Sequence, residues 1–270
     1  MHWLLMKDGN MRDRRLDVAV VSEIPASYLT DGYAVIPSLF DPIEISRIAR
    51  EIDRLFEDYA RLPAGHTYDL DSRPGDGSPG RIPALRGVLT LRPELRAARG
   101  LARAVTLAEN LIGPEAEVLW DSAVYKPSGS SSETPWHQDE AVYGLSKIRK
   151  PRSIVYFWVA LDAVGESSGC IRFVPGSHLG PLLPHAWRNG DTSSSLVVSG
   201  PIEGPAMVSV PLGPGDATVH HSRTLHGSGP NASGSCRKGW VLGVGRPAAP
   251  RWLRRLKRGL LGAAGRSGGR

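Results

Sequence analysis

The stretch EVLWDSAVYKPSGSSSETPWHQDE, residues 117–140, is where the hydrophobic pattern of the chain changes from helical to strand-like. From here on, short runs rich in β-branched and aromatic residues are separated by turn sequences. The runs are EVLWDSAVYK, WHQDEAV, SIVYFWVAL, CIRFV, SLVVSG, AMVSVPL, DATVHH and GWVLGVG. Short strands that follow a helical section predict a mainly β fold, a double-stranded β-helix (jelly roll) core with flanking helices.

Two helices are predicted upstream of this stretch. The first begins at Asp41, which can cap a helix, and Pro42 occupies the first helical position. Apolar residues then recur at helical spacing as far as Tyr59. The second helix follows Pro93 and stops at Gly113, which is followed by another proline. We expect both helices to pack outside the β core.

One large domain is expected, because 270 residues can bury a substantial core. It is predicted to span residues 27–246, between an N-terminal extension, residues 1–26, and a C-terminal tail, residues 247–270. Residues 63–84 are rich in Gly, Pro, Asp and Arg and are predicted to form a long loop. Residues 179–200, rich in Gly and Ser, are a second candidate for a loop over a binding site.

The basic charge of the chain is concentrated at its C-terminal end. The net charge is +6, but residues 246–270 contain eight basic residues and no acid. Removing these eight from the 33 Lys and Arg leaves 25, against 27 Asp and Glu. The domain itself is therefore not basic, and we expect no nucleic-acid partner. The segment WLRRLKRGLL could form an amphipathic helix, but a solvated end is favoured, and no stable membrane association is expected.

The composition favours a cytoplasmic protein. Its 41% apolar and 22% charged residues are ordinary for a globular chain, and no apolar run is long enough to cross a bilayer. The first residues do not form a convincing signal peptide. Two cysteines, Cys170 and Cys236, give no disulfide framework and suit a reducing compartment.

Two candidate metal ligands, His137 and Asp139, lie within PWHQDE at residues 135–140. Residues two apart on a strand point to the same face, so these side chains would project together. An imidazole nitrogen beside a carboxylate oxygen suits a divalent metal. Two ligands do not define a site, however, and a solvent-facing strand gives the same pattern.

A third ligand is expected from a distant strand that faces the same interior, where His220, His221 and His226 are available. His226 is favoured because it is predicted to end a strand just before a Gly/Pro/Asn turn, and Arg237 begins the next strand eleven residues later. His220 and His221 have opposite parity, so at most one faces inward. His221 remains the alternative.

These four residues together predict a site for Fe(II) and 2-oxoglutarate. Two histidines and one carboxylate bind one face of the iron and leave positions open for the keto acid and O2. The distal carboxylate of the keto acid needs a bidentate cation, which Arg237 can supply. A zinc hydrolase would use the three ligands without Arg237, and a non-catalytic jelly-roll binding module would need none of the four.

Four segments occur in the order DGYAVIPSLFDPIEI, TPWHQDE, VALDAVGESSGCIRFVPGSH and HHSRTLHGSGPNASGSCR. Over residues 27–246 the chain thereby resembles the phytanoyl-CoA dioxygenase-like Fe(II)/2-oxoglutarate oxygenases. The resemblance implies a cupin-like core, with His137, Asp139 and His226 as iron ligands and Arg237 as the partner of 2-oxoglutarate. It also implies cosubstrate contacts or pocket walls at Ser228, Trp158, Thr134 and Arg86. His178 is expected to be structural or pocket-lining rather than a metal ligand, because the triad is already complete.

By the same resemblance the protein is expected to hydroxylate a small molecule, with O2 as the second cosubstrate and succinate and CO2 as products. Asp139 stands where halogenating relatives have a small residue, which argues for hydroxylation; desaturation, epimerisation or cyclisation would use the same site. The substrate cannot be read from the residues. Basic residues in or beside loops would favour an anionic or carrier-linked substrate, although solvation explains them equally well: Arg81, Lys147, Arg149, Arg152 and Arg188.

Overall fold

The computed structural model describes residues 25–71, 82–188, 190, 192, 194–202 and 207–249. The basic WLRRLKRGLL segment and Arg81 lie outside these residues. The helices are α1 (Ser27–Asp31), α2 (Pro42–Glu57), α3 (Val88–Leu91), α4 (Arg99–Ile112) and α5 (Val142–Leu145). The strands are β1 (Tyr33–Ile36), β2 (Thr67–Asp69), β3 (Pro83–Arg86), β4 (Glu117–Lys126), β5 (Thr134–His137), β6 (Ser153–Ala160), β7 (Ile171–Phe173), β8 (His185–Trp187), β9 (Leu196–Val198), β10 (Val208–Val210), β11 (Ala217–His221), β12 (His226–Ser228) and β13 (Arg237–Arg246).

Two antiparallel sheets form the core. The large sheet has the order β1-β11-β6-β13-β4-β3-β2, and the small sheet has the order β10-β7-β12-β5. Rings of the two sheets meet between them: Tyr33 of the large sheet stacks on Phe173 of the small one, with 4.2 Å between ring centroids. This architecture confirms the predicted double-stranded β-helix.

The large sheet is covered by helices on one face and lines a cavity with the other. Along β6, Val155, Phe157 and Val159 pack into the core that includes the buried faces of α2 and α4. Tyr156 and Trp158, which alternate with them, face the cavity. Burial on both faces explains why SIVYFWVAL is a nearly continuous apolar run.

The first helix prediction is confirmed and the second only in part. Asp41 caps α2, and its carboxylate accepts hydrogen bonds from the backbone N–H groups of Ile43 (3.0 Å) and Glu44 (2.8 Å). The segment after Pro93 starts as a 3-10 turn, and α4 then runs to Gly113. No helix in the described part of the chain is long and apolar enough to cross a membrane.

The prediction of a long loop over residues 63–84 is wrong at both ends, because β2 and β3 extend the edge of the large sheet there. Residues 179–200 contain the β8–β9 hairpin. The backbone N–H and the hydroxyl of Ser195 both donate to the carbonyl of Leu70, at 3.1 and 2.6 Å. The hairpin is thereby attached to the end of β2, beside the cavity.

Candidate active site

His137 and Asp139 converge although they do not share a strand. β5 ends at His137, and Asp139 begins a 3-10 turn. The strand predicted for WHQDEAV therefore stops at the second of its seven residues. The two side chains nevertheless meet, with 3.8 Å between His137 Nε2 and Asp139 Oδ1.

Gln138, between the two, is buried, and both its backbone N–H and its side-chain amide form hydrogen bonds. Its N–H donates to Nε2 of His185 (2.9 Å). Its side-chain amide donates to the carbonyls of Arg223 (2.7 Å) and Pro181 (3.3 Å) and accepts from the N–H of Leu183 (2.8 Å). These bonds end the strand and fix the direction in which Asp139 leaves it.

The third predicted ligand, His226, enters from the neighbouring strand. It begins β12, rather than ending a strand as predicted, and lies directly opposite His137 in the β12–β5 register. The two imidazole centroids are 4.2 Å apart. One ligand atom from each of His137, Asp139 and His226 lies within 4.8 Å of the others. The structure therefore brings the predicted triad together.

The three side chains are in the protonation states that a metal requires. Nδ1 of His137 donates to the carbonyl of Pro135 (2.8 Å), and Nδ1 of His226 donates to that of Thr224 (2.9 Å). Each Nε2 therefore carries a free lone pair. Burial lowers the pKa of both histidines to about 4. Burial also raises the pKa of Asp139, but His226, His220 and His137 outweigh it and bring that pKa to about 2.

Sequence reasoning kept His221, and not His220, as the alternative to His226. His220 is the inward residue, and its Nε2 lies 3.1 Å from Asp139 Oδ2. His221 points the other way, towards His178, with 5.6 Å between ring centroids. His178 contacts the carbonyl of Leu29, in agreement with the structural role expected for it. Parity showed that only one of the pair faces inward, but not which one.

Arg237 begins β13, as predicted, and is only 2% exposed. Its guanidinium carbon lies 4.5 Å from the ring centroid of Trp158. Its Nε has no hydrogen-bond partner among the described residues. Burial lowers its pKa to about 10, so it is still charged at neutral pH. A buried cation with an unused donor fits an anionic ligand such as the distal carboxylate of 2-oxoglutarate.

Lys126, which sequence reasoning missed, lies opposite Arg237 across the β4–β13 pair. It is fully buried, and its Nζ donates to Ser228 Oγ (2.9 Å) and to the carbonyl of Gly229 (2.6 Å). Burial and the charge of Arg237 lower the pKa of Lys126 to about 6. The amine is therefore largely uncharged at neutral pH. Its hydrogen bond to Ser228 Oγ orients that hydroxyl.

The other predicted cosubstrate contacts do not all lie near Arg237. Thr134 is paired with Ser228 in the β12–β5 ladder, and both line the cavity near Trp158. Arg86 lies over the ring of Tyr68, at 4.8 Å, and its backbone is paired with Ser122 on β4. β3 and β13 lie on opposite sides of β4, and Ser122 and Lys126 are four residues apart along it, so the backbones of Arg86 and Arg237 are separated by roughly 16 Å.

The triad and Arg237 open into one cavity of about 1200 Å³. Two indoles lie across glycines on its floor: a Cβ on Gly239 would fall 2.2 Å from Trp158, and one on Gly243 would fall 2.3 Å from Trp120. Lys147 also lines the cavity, as does Arg149 two residues further on. Arg188 does not, because it pairs with Asp71 (3.3 Å) instead.

The family model described as phytanoyl-CoA dioxygenase (PhyH) matches residues 28–239. The chain belongs to the PhyH family. It is an Fe(II)- and 2-oxoglutarate-dependent oxygenase. The two nitrogens and one oxygen of the triad fit Fe(II), and the buried Arg237 fits 2-oxoglutarate.

Known proteins similar to this PhyH-family chain catalyse different reactions. A probable alpha-ketoglutarate-dependent hypophosphite dioxygenase from Stutzerimonas stutzeri is 29% identical over 245 residues, 86% of this chain and 80% of that protein. The peroxisomal phytanoyl-CoA dioxygenase of Bos taurus is 27% identical; the match covers 78% of this chain but only 64% of the bovine protein. The epimerase SnoN, in complex with Fe3+, alpha ketoglutarate and nogalamycin RO, is 26% identical with a TM-score of 0.65, over 85% of this chain and 84% of that one.

Proposed function

We propose that this protein hydroxylates a C–H bond of a small-molecule substrate, while 2-oxoglutarate and O2 are converted to succinate and CO2. One oxygen atom of O2 enters succinate and the other enters the product, so that the reaction balances. The observation that carries the proposal is the His137, Asp139 and His226 donor set, which opens into the same cavity as the buried guanidinium of Arg237.

We propose that His137, Asp139 and His226 hold the iron. When bound, Fe(II) supplies the activation of O2 that hydroxylation needs. Arg237 would receive the distal carboxylate of 2-oxoglutarate in a charge-assisted bidentate pair. Ser228 would donate a hydrogen bond from its hydroxyl to the same carboxylate, because its oxygen already accepts a hydrogen bond from Lys126.

Three further residues have proposed positioning roles. Trp158 would form a wall of the cosubstrate pocket, since its indole lies beneath Arg237. Thr134 is placed for a contact by its pairing with Ser228. The backbone of Arg86 is too far from that of Arg237 for both side chains to bind the distal carboxylate. Arg86 would therefore contact another part of the cosubstrate, or the substrate.

The substrate is proposed to be bulky, largely apolar and anionic. A cavity of about 1200 Å³ is far larger than 2-oxoglutarate requires. Leu119, Trp120 and Leu145 contribute apolar surface to it, while Lys147 and Arg149 contribute positive charge. Asp139, a proposed metal ligand, is the only carboxylate among the described residues of the lining. A carboxylate, phosphate or carrier-linked acyl group on the substrate would fit this excess of positive charge.

Epimerisation is a second candidate reaction, and desaturation or cyclisation would use the same metal site. The hydroxyls of Tyr143 and Tyr156 lie 3.2 Å apart, and both residues line the cavity. Burial raises the pKa of both phenols, so both keep a hydrogen. A phenol could return a hydrogen atom to a substrate carbon whose hydrogen was removed on the other face; the second oxygen atom of O2 would then become water, with two electrons from an external reductant such as ascorbate. Hydroxylation incorporates oxygen from labelled O2 into the product, whereas epimerisation does not.

The basic test uses the full chain under anaerobic conditions. Fe(II) and 2-oxoglutarate together should give a visible charge-transfer band, which Asp139→Ala should abolish. Admission of air with ascorbate should then yield succinate. A panel of apolar carboxylates and of apolar thioesters whose thiol carries a phosphate, each with a neutral isostere, should stimulate succinate release most with the anionic members. Equal stimulation by the neutral isosteres would contradict the proposed substrate class.

We also propose that residues 27–246 form the oxygenase domain. α1 begins at Ser27 and β13 ends at Arg246, in support of these limits. The two free cysteines are compatible with a reducing compartment, and we propose a cytoplasmic location.

A further inference from the structure

His220 is a buried histidine to which the proposed function gives no role. It lies on β11, opposite Tyr156 on β6, and is only 2% exposed. Its ring packs against those of Tyr156 (5.7 Å), Phe173 (5.4 Å) and His226 (4.5 Å). These contacts allow the imidazole very little freedom to turn.

The contact of His220 with Asp139 fixes which ring nitrogen carries the proton. Nε2 lies 3.1 Å from Asp139 Oδ2, and an ionised carboxylate only accepts hydrogen bonds. Nε2 must therefore donate, while Nδ1 has no partner among the described residues. This is the reverse of His137 and His226, whose Nδ1 atoms donate and whose Nε2 atoms are free.

The tautomers distinguish the two proposed ligands, His137 and His226, from His220. A protonated Nε2 cannot coordinate a metal, and His220 is absent from the group of ligand atoms that lie within 4.8 Å of one another. Asp139 Oδ1 lies 3.8 Å from His137 Nε2, and Oδ2 lies 3.8 Å from His226 Nε2, so each carboxylate oxygen is near one proposed ligand. Of the two oxygens, Oδ2 is the one that accepts the hydrogen bond from His220.

We propose that His220 is a positioning residue for the metal: it donates to Oδ2 of Asp139 and so presents Oδ1 as a single-oxygen ligand. The proposal rests on the proposed metal site. Hydrogen bonds to a ligating carboxylate orient it and commonly change metal affinity by 10- to 100-fold. Without the donor, the carboxylate is free to turn and bind through both oxygens, which would use a coordination position needed by the cosubstrates.

Two variants of His220 and one of its neighbour test this. His220→Phe keeps an aromatic ring but removes the donor, and His220→Gln restores a donor. His221→Phe is the matched control, because that ring points away from the triad. Fe(II) affinity is measured anaerobically by competition with a chelating dye. We expect a loss of roughly 10- to 100-fold in His220→Phe, substantial recovery in His220→Gln, and no more than about a twofold change in His221→Phe.

The visible spectrum of the Co(II)-loaded protein reports the coordination of the metal. If His220 only stabilised the fold, its replacement would not change this spectrum. Weaker bands in His220→Phe, as for a higher coordination number, with a wild-type spectrum in His220→Gln, are expected. If His220→Phe does not fold, His220→Leu replaces it. Wild-type affinity and spectrum in a folded variant without the donor would overturn the role of His220. Failure of the wild type to bind Fe(II), or normal binding by Asp139→Ala, would instead overturn the proposed metal site.

Discussion

The guanidinium of Arg237 lies over the indole of Trp158, with its central carbon 4.5 Å from the ring centroid. Trp158 can occupy this position because Gly239, two residues before its partner Val241 on β13, has no side chain; a Cβ there would fall 2.2 Å from the indole. The contact holds a charged group at the cavity, and Arg237 forms no ion pair with a carboxylate among the described residues. The orientation of the proposed cosubstrate cation thus depends on an aromatic side chain and on a glycine.

Replacement of Arg237 should separate cosubstrate binding from metal binding. Arg237→Ala is expected to weaken 2-oxoglutarate binding by about a hundredfold or more, since a charge-assisted bidentate pair is lost, and to leave Fe(II) affinity nearly unchanged. Anaerobic titrations of each ligand measure the two affinities. Lys238→Ala is the control, because Lys238 points to the opposite face and pairs with Asp53 (2.6 Å). Unchanged 2-oxoglutarate affinity would remove Arg237 from the site.

A methyl group at residue 239 should displace the indole. Gly239→Ala is expected to destabilise the fold by about 1–3 kcal/mol, as overpacking does, and to weaken 2-oxoglutarate binding because Arg237 loses its support. Denaturant unfolding and the same titration measure both effects. Gly234→Ala is the control, since nothing lies within 4 Å of a Cβ there. A stable variant with wild-type affinity would show that Trp158 does not position Arg237.

Lys126 should make stability depend on pH. Its pKa is about 6 in the folded chain, against an ordinary value of 10.5. Between these values the unfolded chain binds more protons, so the free energy of unfolding should rise as the pH rises. From pH 7 to pH 9 the wild type should gain up to about 2–3 kcal/mol more than Lys126→Met. Denaturant unfolding at both pH values measures this difference. Equal gains would mean that Lys126 stays charged when buried.

Removal of Asp139 should abolish function without unfolding the protein. Asp139→Ala is expected to lose Fe(II) binding and succinate formation, because two histidines alone hold iron weakly. The neighbouring acid provides the control: Glu140→Gln loses an ion pair with Lys150 (2.7 Å) and should retain both properties. Succinate release is compared at equal concentrations of folded protein. A wild-type rate in Asp139→Ala would contradict its assignment as a ligand.

Local sequence patterns were sufficient for much of the fold and for the proposed triad. The cap at Asp41 and the strand-like runs after residue 117 act over a few residues, so α2 and most strands could be predicted. The spacing of His137 and Asp139 and the turn between His226 and Arg237 are local as well. These signals need no knowledge of how strands pair.

The features that the sequence did not reveal all depend on which strands lie side by side. β2 and β3 were taken for a loop because short edge strands owe their structure to a neighbouring strand more than to their own residues. Lys126 reaches Ser228 only because β4, β13 and β12 are brought together by the fold. Parity alone could not choose between His220 and His221. The pairing of β11 with β6 made that choice, because it places Val219 against the helices and turns His220 towards Asp139.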